Sequence, residues 1–288
     1  MDPSLERAFQ VCERIHAKHG KSYYFATRFF PREKRLATFA LYAFFRIPDE
    51  IVDTDNASKI EAHQQLIAWK EKWRQAYQQE RSDDSVLHAA AWTFHTYKIP
   101  FAYSEAFLDA MIMDTEKATY ANYQELEKYM YGSAGVVGLM MSYVIGFSDP
   151  IALPYAEKLG YAMQLTNFLR DIAEDWDLRE RIYMPQDDMR RFQVTSSQIR
   201  EHRFDENIRE LIRFEVARAD VLYEEAERGI ALLHKDGRFA VRVAGALYRE
   251  ILRKIEVQEY NIFRGRARTS FLEKVRITAR CARLSFNK

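Results

Sequence analysis

One period dominates the sequence. Hydrophobic residues recur every three or four positions along almost its whole length, the spacing of a single helix face. The first run, Ser4 to Lys18, carries Leu5, Ala8, Phe9, Cys12 and Ile15 and stops at Gly20, a natural terminator. Pro31 opens the next, which carries Leu36, Phe39, Ala40 and Ala43 toward Ile47. Further amphipathic stretches cover about 60–80, 84–97, 103–116, 123–146, 152–177, 196–203, 206–235 and 238–262, with a last one at 270–285. Breaks are expected at Pro100, Pro150, Pro154, Pro185 and Gly237. Alternating strand patterns with hairpin turns are absent, and ten glycines with seven prolines in 288 residues are too few for the many turns of a sandwich or propeller. The pattern predicts an all-α helical bundle of about ten helices. With no Ser/Gly-rich linker and no internal repeat, residues 1–288 read as one domain.

Charge narrows the partners. Lysine plus arginine (43) nearly balances aspartate plus glutamate (42), so no long-range pull on nucleic acid is expected. Cys12 and Cys281 do not make a disulfide framework or a zinc site, and the histidines show no metal-ligand spacing. The N-terminus lacks an apolar signal segment, and the longest apolar stretch, Ala134 to Phe147, is too short and too glycine-broken to span a bilayer. A cytoplasmic protein is expected. From Arg264 to Lys288, however, eight lysines and arginines face one acid, Glu273, so this segment is expected to lie on anionic membrane or to remain a solvated basic tail.

The stretches 123–146 and 152–177 are apolar around most of their circumference, which marks them as central. Carboxylates do not belong on such helices, yet the second carries several. Arg46-Ile47-Pro48-Asp49-Glu50-Ile51-Val52-Asp53 and Asn167-Phe168-Leu169-Arg170-Asp171-Ile172-Ala173-Glu174-Asp175 each follow apolar sequence and place two aspartates four apart. On a helix that spacing puts both carboxylates on one face, about 6 Å apart along the axis. Their repulsion is roughly 3 kcal/mol at an effective dielectric of 20, so a cation is expected between them. Mg²⁺ suits such a site, because it takes oxygen ligands and is completed by water and phosphate oxygens. A solvated acidic face explains one such pair better than two, each preceded by an arginine. Arg46 and Arg170 beside an anionic ligand suit phosphate.

Other motifs accompany the aspartates. They are His19-Gly20-Lys21-Ser22-Tyr23-Tyr24-Phe25-Ala26-Thr27, Leu41-Tyr42-Ala43-Phe44-Phe45-Arg46, Tyr129 through Gly138, Gln164-Leu165-Thr166-Asn167, Arg181-Ile182-Tyr183-Met184-Pro185, and late in the chain Tyr248 and Phe263 to Arg266. Together they resemble the squalene/phytoene synthase family, which joins two prenyl diphosphates head to head on an all-α fold. The likeness covers nearly the whole chain. It implies that Asp49, Asp53, Asp171 and Asp175 hold two or three Mg²⁺ ions, with Arg46 and Arg170 beside them in the catalytic set. It also implies that Lys21, Ser22, Tyr23, Tyr42, Tyr131, Gln164, Asn167, Arg181, Tyr183, Tyr248 and Arg266 bind the substrates, and adds Phe25 and Phe45 as cavity walls. Two departures stand out. Pro48 directly before Asp49 predicts a kink in the first motif, and the link from Asp175 to Arg181 is one residue longer than the family's common pattern.

The resemblance further implies a prenyl transferase making phytoene from two geranylgeranyl diphosphates, with NADPH not required. The alternatives are squalene, hydroxysqualene or dehydrosqualene from farnesyl diphosphate, or a non-catalytic assembly factor on the same fold. Ala26 and Thr27, two small residues after Phe25, favour the longer substrate unless Phe39, Met140 or Met163 fills the space. Gly132, Gly135 and Gly138 either let prenyl chains run against backbone or let another helix pack closely.

Overall fold

The computed structural model describes residues 2–53 and 58–286. Fourteen α-helices account for most of it: α1 (Pro3–His19), α2 (Lys21–Thr27), α3 (Arg32–Asp53), α4 (Lys59–Gln79), α5 (Ser85–Tyr97), α6 (Phe101–Glu116), α7 (Tyr123–Met130), α8 (Val136–Ile145), α9 (Ala152–Arg179), α10 (Gln186–Arg191), α11 (Ser196–Arg200), α12 (Glu206–Glu227), α13 (Lys235–Val257) and α14 (Phe271–Phe286). No strand is present among the described residues, only two isolated bridges. No described helix is long and apolar enough to cross a membrane.

Local chemistry fixes the ends. Ser58 with Glu61, and Thr195 with Gln198, form reciprocal capping boxes, while Asp84, Asn122 and Asp205 accept from the first turns of their helices. Several helices stop without glycine: Glu80, Lys98 and Glu180 take the left-handed conformation themselves (φ 54°, 54° and 52°). So few glycines suffice because other residues accept that strain.

Two expected breaks lie inside helices. Pro154 occupies the first turn of α9, where its missing N–H has no intrahelical partner to lose. Gly237 sits in the first turn of α13, where a Cβ would come within 2.5 Å of Ile145 Cγ2. Pro48 does not end α3, which continues through it to Asp53. The predicted stretch 206–235 is α12 followed by a tighter 3₁₀ turn, Arg228–Leu232. The stretch 123–146 is also not one helix, because a π-helical turn, Tyr131–Gly135, joins α7 to α8.

The glycines around that turn serve helix packing, the second of the two expected roles, and Gly138 lines a cavity as well, in keeping with the first. A Cβ on Gly132 would lie 2.6 Å from the Ala106 carbonyl oxygen, and one on Gly138 2.2 Å from that of Ala156. Gly160 answers from α9, its missing Cβ 2.3 Å from the Ala134 carbonyl oxygen. Backbone cannot move aside as a flexible side chain can. Gly138→Ala should therefore lower stability by about 1–3 kcal/mol, seen as a lower denaturation midpoint at unchanged m value.

α9 runs through the middle, packed on α8, α12 and α13, and buries Tyr161, Ala162, Leu165, Phe168, Leu169 and Ile172. α3 is equally central, burying Phe39 through Leu41 with Ala43 and Phe44. Both helices end in an aspartate pair, so the apolar packing that anchors them also aims the carboxylates. Along one side α14 lies on α13, where Ile277 and Cys281 pack with Ala26, Val243 and Leu247.

Candidate active site

Between α2, α3, α8, α9 and α13 lies a cavity of about 830 Å³. Its chemistry is divided. Asp49, Asp53, Asp171 and Asp175 line one region, with Arg46, Arg170, Arg179 and Arg266 among them. The opposite region is apolar, walled by Ala26, Phe30, Ile145, Leu233 and Ala240. Tyr23 and Tyr248 lie between the two, stacked with ring centroids 4.5 Å apart.

Every aspartate of the two pairs has an arginine. Arg46 Nη1 donates to Asp49 at 2.5 Å and its Nε to Glu50 at 3.0 Å. Arg170 grips Asp171 with both Nε (2.8 Å) and Nη2 (2.5 Å), and Arg266 reaches the same carboxylate from the segment before α14, at 2.9 Å. Arg266 also pairs with Glu174 at 2.9 Å. Arg179 spans the two motifs, Nη1 donating to Asp175 at 3.1 Å and Nε lying 2.7 Å from Asp53. Behind them, Asp114 on α6 accepts from Arg181 Nη1 (3.0 Å) and from the Tyr183 hydroxyl (2.9 Å).

The squalene/phytoene synthase model matches residues 16–273, a span that holds both aspartate pairs. The chain belongs to the squalene/phytoene synthase family. Its relatives include the 15-cis-phytoene synthase of Synechocystis sp., 34% identical over an alignment of 276 residues, which covers 92% of this chain and 81% of the relative. A phytoene synthase of Arthrospira platensis is 36% identical, covering 90% and 87%. Among solved structures, a dehydrosqualene synthase superposes with a TM-score of 0.91 at 29% identity over 99% of this chain and 98% of its own. A squalene synthase from Alicyclobacillus acidocaldarius gives 0.81 at 28%, covering 91% and 97%. Squalene/phytoene synthases are prenyl transferases that depend on a divalent metal, and this chain is a prenyl transferase.

The donor set fits that metal. Four carboxylates offer oxygen only, the chemistry Mg²⁺ prefers, and none is sealed in a finished cage. Among the described residues no group of three or more His, Cys, Asp or Glu side chains converges closely enough to hold an ion alone. Each of the four carboxylates is instead paired with an arginine.

Burial and mutual repulsion leave the acids short of positive charge. Burial, with Asp53 close by, lifts Asp49 to about 7, and burial with Asp171 close by lifts Asp175 to about 8. Burial likewise lifts Asp114 to about 6, against the pull of Arg181. The folded chain thus holds protons that the unfolded chain has already released above pH 4. Stability must then fall as pH rises toward 7 and 8, since the folded state binds more protons. The melting temperature of the metal-free protein should drop between about pH 5 and 8 and level off above. Mg²⁺ with inorganic diphosphate should flatten the slope, because cations replace the protons.

Most sequence-predicted residues of this synthase line the cavity: Lys21, Ser22, Tyr23, Tyr42, Phe45, Gln164, Asn167, Tyr183, Tyr248 and Arg266, with both aspartate pairs and their arginines. Three do not. Tyr131 opens the π-turn and is 37% exposed, while Tyr129, buried two residues earlier, lines the cavity. Arg181 is buried but turned to Asp114, because the left-handed Glu180 ends α9 and redirects the chain beside Thr119. Phe25 packs outside, toward α13 and α14. Sequence reading passed over Asp114 and gave Glu174 and Arg179 no role. Asp114 had left a trace: it continues the buried stripe Phe107, Leu108, Met111 of α6, where a carboxylate is out of place.

Proposed function

We propose that this protein joins two molecules of geranylgeranyl diphosphate head to head to give phytoene, and that residues 1–288 form the single domain that does so. The observation behind the reading is the division of one cavity into an arginine–aspartate region and an apolar region with small side chains near its end. The names of the relatives at 34% and 36% identity support the long substrate.

The chemistry follows from that division. Bound at Asp49, Asp53, Asp171 and Asp175, two or three Mg²⁺ ions would supply positive charge for the departing diphosphates. Arg46, Arg170, Arg179 and Arg266, with Lys21 and Lys274 at the rim, bind phosphate oxygens and stabilise charge as the first C–O bond breaks. The allylic cation forms where water is excluded, beside the faces of Tyr23 and Tyr248, whose rings stabilise positive charge. Burial holds the Tyr23 hydroxyl well above its ordinary pKa, so it stays a neutral phenol rather than a nucleophile. The double bond of the second molecule attacks, a proton is lost, and a cyclopropylcarbinyl diphosphate results. Its ionisation, rearrangement and a second proton loss give the hydrocarbon and a second diphosphate. Ending on proton loss consumes no NADPH. The product is insoluble in water, which gives contact with a membrane a purpose.

The likeness to a dehydrosqualene synthase favours a second reading, the same joining of two farnesyl diphosphates. One experiment separates them. Purified protein, Mg²⁺ and an equal mixture of both prenyl diphosphates should yield chiefly the C40 hydrocarbon by mass spectrometry. A chiefly C30 product would replace the first reading with the second.

A further inference from the structure

We infer that α14 docks the protein on an anionic lipid bilayer, with Phe271, Leu272 and Val275 inserted among the acyl chains and Arg276, Arg280 and Arg283 lying on the lipid phosphates. The bilayer's purpose rests on the reading of a hydrocarbon product, but the chemistry of the surface does not.

The two sides of α14 differ sharply. Ile277 and Cys281 face the protein and pack with Ala26, Val243 and Leu247. Lys274, on the same side, lines the cavity with Lys21. Laid out at about 100° per residue, the opposite half of the helix presents Phe271, Val275, Ala279 and Leu272 in one sector and Arg283, Arg276 and Arg280 in the next. Phe271 is 69% exposed and Leu272 79%, although the chain has ample core to bury them. Val257, 83% exposed, lies at the same end, one turn beyond Lys254, which pairs with Glu273 at 2.6 Å. Large apolar side chains left in water beside arginines are the mark of a helix lying in a membrane interface.

The charge is committed to one sign. Between Arg264 and Arg283 seven lysines and arginines face a single acid, Glu273, which is occupied by Lys254 and the Ser270 amide. Arg276, Arg280 and Arg283 have no ion-pair partner among the described residues. A second copy would meet the same positive face, whereas anionic lipid complements it. Position completes the argument. The segment entering α14, Arg266 to Thr269, forms part of the cavity wall, so docking there sets the charged end of the cavity beside the membrane surface.

Flotation on vesicles tests this in the absence of substrate. Wild type should float with vesicles of equal phosphatidylcholine and phosphatidylglycerol, lose most binding in high salt, and stay unbound with phosphatidylcholine alone. Substituting Arg276, Arg280 and Arg283 together by Gln should weaken partitioning about a hundredfold, near fivefold for each arginine. Substituting Phe271, Leu272 and Val275 together by Ser should weaken it at least about tenfold while leaving the circular dichroism spectrum unchanged. Asp171→Asn should float like wild type, so a failure of the catalytic reading leaves this one readable. No flotation, equal flotation on neutral vesicles, either triple variant binding like wild type, or a dimer that buries this face would each overturn the inference.

Discussion

Asp171→Asn should lower hydrocarbon formation by about three orders of magnitude at saturating Mg²⁺, roughly 4 kcal/mol of lost transition-state stabilisation, with the melting curve little changed. Asp171 is where the site's charge is concentrated, accepting both Arg170 and Arg266 at 2.9 Å or less. Asparagine has nearly the same shape but no charge, so it leaves two guanidiniums undercompensated and offers a weaker ligand to a hard cation. The loss should fall in kcat more than in KM, because the charge it removes balances the diphosphate as it departs. Asp49→Asn should act in the same direction through the other pair. A product assay by radiolabel or mass spectrometry reads both, and full turnover in both variants, or in EDTA, would exclude the aspartates as metal ligands.

Thr27→Phe should reverse the preference from geranylgeranyl toward farnesyl diphosphate. Thr27 is buried, lines the cavity, and donates its hydroxyl to the Tyr23 carbonyl at 2.8 Å. Ala26 beside it is small too, and Phe30, Ile145 and Leu233 close the space beyond. Of the residues that might have filled this room, Phe39 and Met140 are in the core away from the cavity, whereas Met163 lines it and meets the Tyr23 hydroxyl at 3.5 Å. One isoprene unit is about one helical turn long, about 5 Å. Burying its five carbons is worth roughly 3–4 kcal/mol at about 0.8 kcal/mol each. A phenylalanine ring in that space should therefore move the ratio of the two kcat/KM values by roughly several hundredfold. Competition between the substrates measures it directly, and an unchanged ratio would place the end of the chain elsewhere.

What the sequence made legible here was whatever depends on local spacing. Helical period gave the all-α bundle, and the four-residue interval in two apolar helices drew attention to Asp49, Asp53, Asp171 and Asp175. Tertiary events hid the rest. Which tyrosine enters the cavity depends on where a π-turn begins, so Tyr129 rather than Tyr131 faces inward. Arg181 follows a left-handed residue that no residue type announced, and its partner Asp114 lies 67 positions away. Pro48, expected to kink the first motif, lies buried within α3, which runs through it to Asp53.

The pairing of all four aspartates with arginines has a thermodynamic consequence. The resting protein carries its own counter-charges, the arginines and the protons that burial holds on Asp49 and Asp175, so loading the site is an exchange rather than an addition. Diphosphate must take the guanidiniums from the carboxylates, and divalent cations must take the carboxylates from the guanidiniums. Either ligand arriving alone strands one set of charges in a half-dry cleft; arriving together they conserve every pairing. Affinity for each is thereby coupled to the presence of the other, and the coupling is the same in both directions. The site accordingly discriminates for a magnesium–diphosphate pair, and a lone anion or a lone cation from solution gains little by entering.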